Sequence, residues 1–305
     1  MAYSYADKRA GLSFGLGAYL LWGVLPLYFK ALGSVPAPQI VAHRIVWSLV
    51  FLGVLASLWR RWPAIGAALR QPRLVATLAL TASLIAVNWL VYIYAVLSGH
   101  VLEGSLGYYL NPLVNVLLGT LLLKEKLTRP QLFAVGLAAL GVAILAAGAG
   151  TGLWISLTLA ASFAVYGFLR KVAPVDSLEG LSIETLLLTP LAIAFLMYVQ
   201  AQGTGRFGGS ALSTDALLIL GGAVTAIPLL LFTAAAKRLP YSTLGFLQYV
   251  APSMQFLLAV LVFGERLTFA HAVCFGLIWT ALAVFSVEGL RQARRARVSA
   301  VKSLA

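Results

Sequence analysis

Charge is what this chain has least of. Only 10% of its 305 residues are Asp, Glu, Lys or Arg, and acids are scarcer than bases, 9 against 22; soluble domains carry roughly a quarter. With 61% hydrophobic residues and a mean hydropathy of +0.94, a soluble fold is excluded and the chain reads as an integral membrane protein. A single cysteine, Cys274, excludes an internal disulfide and a cysteine metal cluster. Histidine is equally sparse: His43, His100 and His271 lie in separate segments and make a poor zinc site. The G-x-x-x-x-G-K-[ST] phosphate loop, H-E-x-x-H and G-x-S-x-G are all missing. ATP-driven transport and metal or serine hydrolysis therefore lack support; no enzyme activity, cofactor or bound metal is expected. The formal charge of +13 does not indicate nucleic acid, because the basic residues fall in short runs between apolar segments, where they orient helices. No small-residue cleavage site follows a short apolar stretch at the N-terminus, so no cleaved signal peptide is expected.

What the chain has in abundance is apolar runs of membrane-spanning length. About 20 residues are needed for a helix to cross the bilayer, and ten runs qualify, near 11–30, 39–59, 73–97, 103–123, 130–149, 152–170, 180–200, 214–236, 241–263 and 269–289. They lack the period-2 alternation of a membrane barrel, so the expected fold is all-α with ten transmembrane helices. With both termini in the cytoplasm, eighteen of the 22 Lys and Arg residues fall inside. Lys30, Arg206 and Arg266 fall outside, and Arg44 lies within a span. That asymmetry favours this orientation in a bacterial-type inner membrane and an even span count.

Two segments repeat. Pro112 to Thr128 aligns without a gap on Pro252 to Thr268, with identities at Pro112/Pro252, Leu117/Leu257, Leu121/Leu261, Glu125/Glu265, Leu127/Leu267 and Thr128/Thr268. The copies close spans 4 and 9, so the unit is five helices. Five is odd, and the second unit must enter from the opposite side, giving an inverted repeat. Tyr19, Trp22 and Gly23 echo Phe163, Tyr166 and Gly167 at a constant offset of 144. The expected organisation is a first repeat over 11–149, a second over 152–289 and a basic cytoplasmic tail over 290–305. A Gly-rich hinge joins the halves at Gly148 to Gly152, and 171–179 is an ordinary loop.

Polar groups inside spans are expensive unless they face protein or a water-filled cavity, which makes them pathway candidates. Asn88 and Tyr92 share a face of span 3. Tyr108, Pro112 and Asn115 share one in span 4, matched by Gln248, Pro252 and Gln255 in span 9. Each proline frees a backbone carbonyl. For Asn115 and Gln255, bonding between helices is the stronger reading. Trp59, Trp62, Trp154 and Tyr241 lie at span ends, where aromatic belts form, whereas Trp22, Trp47, Trp89 and Tyr166 lie deeper. His43 could carry a proton or bind a carboxylate. Arg44 is expected in a structural ion pair with Glu103 or Glu265. Glu184 is expected near the inner end beside Arg170, Lys171 or Lys237, and Glu125 and Glu265 as packing and capping groups. Gly11 and Gly15 form a G-x-x-x-G that permits close helix contact.

These features resemble the drug/metabolite transporter superfamily of the EamA type. The stretches A-Y-L-L-W-G-V-L-P-L-Y (18–28), H-R-I-V-W-S (43–48), N-W-L-V-Y-I-Y-A-V (88–96), H-V-L-E-G-S-L-G-Y-Y-L-N-P-L-V-N-V-L-L-G (100–119) and E-T-L-L-L-T-P-L-A (184–192) resemble its RarD branch and, more distantly, the YddG-like amino-acid exporters. The resemblance implies a central cavity lined by spans 1–4 and 6–9 that works by alternating access between the halves. It points to Trp22, His43, Asn88, Tyr92, Tyr108, Tyr166 and Gln248 as substrate-binding residues. An aromatic, amide-rich lining suits an amino acid or related metabolite rather than a multiply charged phosphate. The expected function is export of amino acids, aromatic and other neutral ones, with broad tolerance. The alternative is efflux of chloramphenicol-like drugs or another small metabolite. The expected partners are that small molecule and the lipid bilayer, with no nucleic acid, and the protein is expected to be a monomer.

Overall fold

In the computed structural model, the described residues are 5–122, 127–148, 152–209, 211–239, 244 and 247–302, and among them the regular structure is entirely helical. The helices are α1 (Tyr5–Gly23), α2 (Leu25–Ala31), α3 (Ala37–Leu58), α4 (Trp62–Leu69), α5 (Pro72–Leu97) and α6 (Val101–Leu122). They continue with α7 (Arg129–Gly148), α8 (Leu153–Val172), α9 (Ser177–Ala201), α10 (Leu212–Arg238), α11 (Val250–Leu261) and α12 (Phe269–Lys302). Among the described residues seven segments are long and apolar enough to cross a membrane: Arg9–Ala31, Ala37–Leu58, Pro72–Leu97, Leu153–Val172, Ser177–Ala201, Leu212–Arg238 and Phe269–Glu288. Arg129–Ile144 and Val250–Leu261 are shorter apolar helices. The expected basic tail continues α12 as helix to Lys302. Glu125, Tyr241 and most of the Gly148 to Gly152 hinge lie outside the described residues.

Proline punctuates the chain as its chemistry requires. It occupies the first turn of α2, α3, α4 and α5, where a missing N–H leaves no helical bond unmade. Pro26 also explains the break between α1 and α2. With no N–H at 26, the Trp22 carbonyl has no intrahelical donor, and the Gln255 amide donates to it at 3.0 Å. A second break falls at Gln248 and Tyr249, just before α11, with Pro252 in its first turn. Pro112, by contrast, lies within the continuous helix α6.

The packing follows a regular set of pairs. α1 lies against α10 and α11, α3 against α9 and α10, α5 against α8 and α9, α6 against α8 and α11, and α7 against α12. Small residues set the closest approaches. A Cβ on Gly222 of α10 would lie 2.4 Å from the carbonyl of Trp47 in α3, and one on Gly107 of α6 would lie 2.8 Å from the Ser156 carbonyl of α8. Gly11 and Gly15 admit Leu239 and Leu247 in the same way, at 2.8 and 2.6 Å. Tyr19, Trp22, Phe163, Tyr166 and Phe232 form one interior aromatic cluster. Tyr109, Phe256 and Phe275 form another, with Trp279 at its exposed edge. Trp59, Trp62 and Trp154 are exposed on the surface, in keeping with belt positions.

Candidate functional site

A cavity opens between the two helix breaks. Tyr19, Trp22 and Leu25 line it from the first break. Arg44 contributes from α3, Ile85, Asn88, Trp89 and Tyr92 from α5, Tyr108 from α6, Phe163 from α8 and Leu229 from α10. Gln248, Ala251, Pro252 and Gln255 complete it from the second break. Its volume is about 40 Å³, room for about three waters at roughly 10–15 Å³ each. Passage of a metabolite therefore needs the surrounding helices to part.

Five of the seven sequence-derived candidates meet here: Trp22, Asn88, Tyr92, Tyr108 and Gln248. Asn88 joins three helices. Its Nδ2 donates to the Leu159 carbonyl at 3.1 Å and to Ser162 Oγ at 2.9 Å, and its Oδ1 accepts from the Tyr108 hydroxyl at 3.0 Å. Gln248 Oε1 accepts from Asn115 Nδ2 at 3.1 Å, so Asn115 bonds between helices as expected. Tyr92 packs its ring on Tyr108, 5.3 Å between centroids, and its buried hydroxyl has no hydrogen-bond partner among the described residues.

The other two candidates lie elsewhere. His43 faces an open groove with Gln39, Gln200 and Arg206, its ring 5.1 Å from that of Phe207. Tyr166 stands behind Phe163, stacked on Phe232. Its hydroxyl points at Glu184 Oε2, 3.5 Å away. Glu184 is neutralised by Arg170, whose Nε lies 3.5 Å from Oε1, and it accepts from the Thr81 hydroxyl at 2.6 Å. This fully buried pair is the partnership with Arg170 expected for Glu184.

Arg44 departs from expectation. It does not pair with Glu103 or Glu265. The Glu265 carboxylate instead caps α6, accepting from the Val101 and Leu102 amides at 3.1 and 2.9 Å, in line with its expected capping role. Arg44 turns inward, because Gly221 and Gly222 let α10 approach closely enough for its Nε to donate to Thr225 Oγ1 at 2.7 Å. Its guanidinium carbon lies 5.1 Å from the Phe29 ring centroid and 4.9 Å from that of Trp89. Ring contacts of this kind contribute about 0.5–2 kcal/mol each and a hydrogen bond from a charged group about 1.5–3 kcal/mol. Taking an ion out of water costs several kcal/mol, so these contacts roughly balance its burial. The sequence signal was available: an arginine inside an apolar span is a functional candidate by default. Gln255 was read chiefly as a link between helices. It does bond to Trp22, but among the described residues its buried Oε1 has no partner, and it lines the cavity.

A family model described as the EamA-like transporter family matches residues 9–147. The chain is 47% identical over 294 residues to an uncharacterized transporter of Vibrio cholerae, covering 95% of this chain and 97% of that one. It is 44% identical over 289 residues to the protein RarD of Escherichia coli, covering 95% and 98%. A chloramphenicol-sensitive protein RarD of Pseudomonas aeruginosa is 34% identical over 289 residues, covering 93% and 96%. A crystal structure at 23% identity matches with a TM-score of 0.65 over 92% of this chain and 98% of that one, a likeness of fold.

Proposed function

The chain belongs to the EamA-like transporter family and is a RarD-like member, and from that premise we propose that it exports amino acids, aromatic and other neutral ones, across the bacterial inner membrane. The transport follows alternating access of the central cavity, with both termini cytoplasmic. The observation that carries the reading is the cavity itself: rings of Trp22, Tyr108 and Phe163 for an apolar side chain, and the amides of Asn88, Gln248 and Gln255 with Arg44 for the polar end. We assign substrate contact to Trp22, Asn88, Tyr92, Tyr108 and Gln248, with Tyr166 acting through Phe163 and His43 acting from the groove.

The packing pairs support ten spans in two inverted halves, with α1 and α2 together as one span. Exchanging α1 with α8, α3 with α9, α5 with α10, α6 with α11 and α7 with α12 returns every main packing pair to another pair of the same set. That is the pattern of a pseudo-two-fold axis, and an odd number of spans per half places such an axis in the membrane plane. The cavity lies between the two sets, where repeat transporters bind substrate.

The reading is tested in proteoliposomes with labelled phenylalanine, threonine and chloramphenicol. Amino-acid flux that Tyr92→Ala strongly reduces is the expected result. Movement of chloramphenicol alone would replace this reading with drug efflux, and immobility of all three would refute it.

A further inference from the structure

We infer that Arg44 is the anion anchor of the central cavity, so that solutes are recognised through a carboxylate while a free ammonium group is dispensable. This rests on the cavity being the transport site and narrows what that site selects.

Four observations lead here. Arg44 is 3% exposed and is, among the described residues, the only charged side chain that lines the cavity. Among the described residues Arg44 forms no ion pair, and the acids Asp176 and Glu179 are held by Arg61, Glu184 by Arg170, Asp215 by the Gly208 amide and Glu265 by the Val101 and Leu102 amides. Its neighbours fix the guanidinium without neutralising it. The Nε bond to Thr225 and the Phe29 and Trp89 rings orient the fork and leave its two terminal NH2 groups for a guest. Paired N–H donors on a planar cation match the two oxygens of a carboxylate. Finally, Tyr92 lines the same cavity, and its buried hydroxyl, without a hydrogen-bond partner among the described residues, is a donor open to a guest.

An ammonium group finds no comparable reception. The acceptors available to it are neutral, chiefly Gln255 Oε1, and a cation entering beside Arg44 is repelled. Carboxylates with an apolar or aromatic body and a blocked amine should therefore bind at least as well as the parent amino acid. Amines and carboxamides of the same shape should not.

The experiment is competition against labelled phenylalanine in proteoliposomes of the full-length protein, using N-acetylphenylalanine, phenylalaninamide and phenethylamine. We expect N-acetylphenylalanine to compete at least as well as phenylalanine. The amide and the amine should be weaker by about tenfold or more, the loss of one charge-assisted contact. Arg44→Gln should weaken both carboxylates by a similar factor and leave the amide unchanged, with Arg44→Lys in between. Equal competition by phenylalanine and phenylalaninamide in the wild-type protein overturns the anchor without any variant and leaves amino-acid transport standing. If labelled phenylalanine does not move at all, export of amino acids fails while the anchor is still decided by quenching of tryptophan fluorescence on the purified protein. Quenching by N-acetylphenylalanine but not by its amide, lost in Arg44→Gln, sustains it; equal quenching by both, or none by either, refutes it.

Discussion

Replacing Gly222 with alanine tests whether the approach of α10 to α3 builds the cavity wall. The added methyl would stand 2.4 Å from both the carbon and the oxygen of the Trp47 carbonyl and 2.9 Å from the Ser48 nitrogen. All three are backbone atoms, so no rotamer change relieves the clash. Ordinary contact begins near 3.4 Å, and the helices would have to separate locally by about 1 Å. Overpacking of this kind costs about 1–3 kcal/mol. The same movement strains the 3.2 Å bond from Ser48 Oγ to the Gly222 carbonyl and the Arg44 to Thr225 bond one turn away. Against this stands the intrinsic preference for alanine in a helix, about 0.8–1.0 kcal/mol. A net loss of up to about 2 kcal/mol follows. Gly53 in α3 is the matched control, because nothing lies within 4 Å of its added methyl; Gly53→Ala should be neutral or stabilising by up to about 1 kcal/mol. Thermal unfolding of both variants in one detergent measures the difference, and proteoliposome flux reports whether Arg44 has been displaced. If Gly222→Ala melts no lower than Gly53→Ala and transports normally, the close approach does not organise the site.

Removing Arg170 should be severe, because it leaves the Glu184 carboxylate buried without its cation. Arg170→Met is expected to cost about 3–5 kcal/mol, while Arg170→Met combined with Glu184→Gln should recover part of that in melting experiments; a double variant worse than the single would count against a charge-driven loss. Glu265, in the turn after α11, has its pKa raised from 4.5, first by burial, although the Leu102 and Val101 amides pull the other way. Its folded form holds a proton more tightly than the unfolded chain, so its contribution to stability is greatest at low pH and declines as pH rises from about 4.5 through the raised value. Melting temperatures of wild type and Glu265→Gln across that range should converge or cross in the sense of a wild-type disadvantage at higher pH; parallel curves contradict the assignment.

Helices were legible because apolar length is a one-dimensional property, and four starts carry a proline whose missing N–H leaves no helical bond unmade in the first turn. Which face of each helix looks inward was harder to read. His43 and Arg44 are consecutive, about 100° apart around α3, so both cannot point the same way. The sequence ranked His43 as the binding group and paired Arg44 with an acid. The choice is made by Gly221 and Gly222, some 178 residues downstream, which let α10 bring Thr225 to the arginine. Tyr166 was picked for its depth in span 6, and depth does not distinguish a ring on the cavity from one a layer behind, as Phe163 and Tyr166 are. Gln255 was half legible. Its bond to Trp22 follows from the donor missing at Pro26, whereas its place on the cavity wall depends on the break before α11.

The same contacts indicate which surfaces can move. Most side-chain bonds around the cavity join helices that precede residue 149 to helices that follow residue 152. Among them are Asn88 to Leu159 and Ser162, Ser105 to the Pro252 carbonyl, Tyr109 to Ser253, Asn115 to Gln248 and Gln255 to Trp22. Hydrogen bonds of this kind within membranes average about 0.6 kcal/mol, so several can be exchanged for bonds to water or a solute at small net cost. The glycine contact of α10 on α3 and the Arg170–Glu184 pair are of another order, since separating either breaks backbone packing or strands a buried charge. A cavity of about 40 Å³ has to enlarge to admit any metabolite. The amide and hydroxyl network is where that enlargement is cheapest, and it is the network the guest itself would replace.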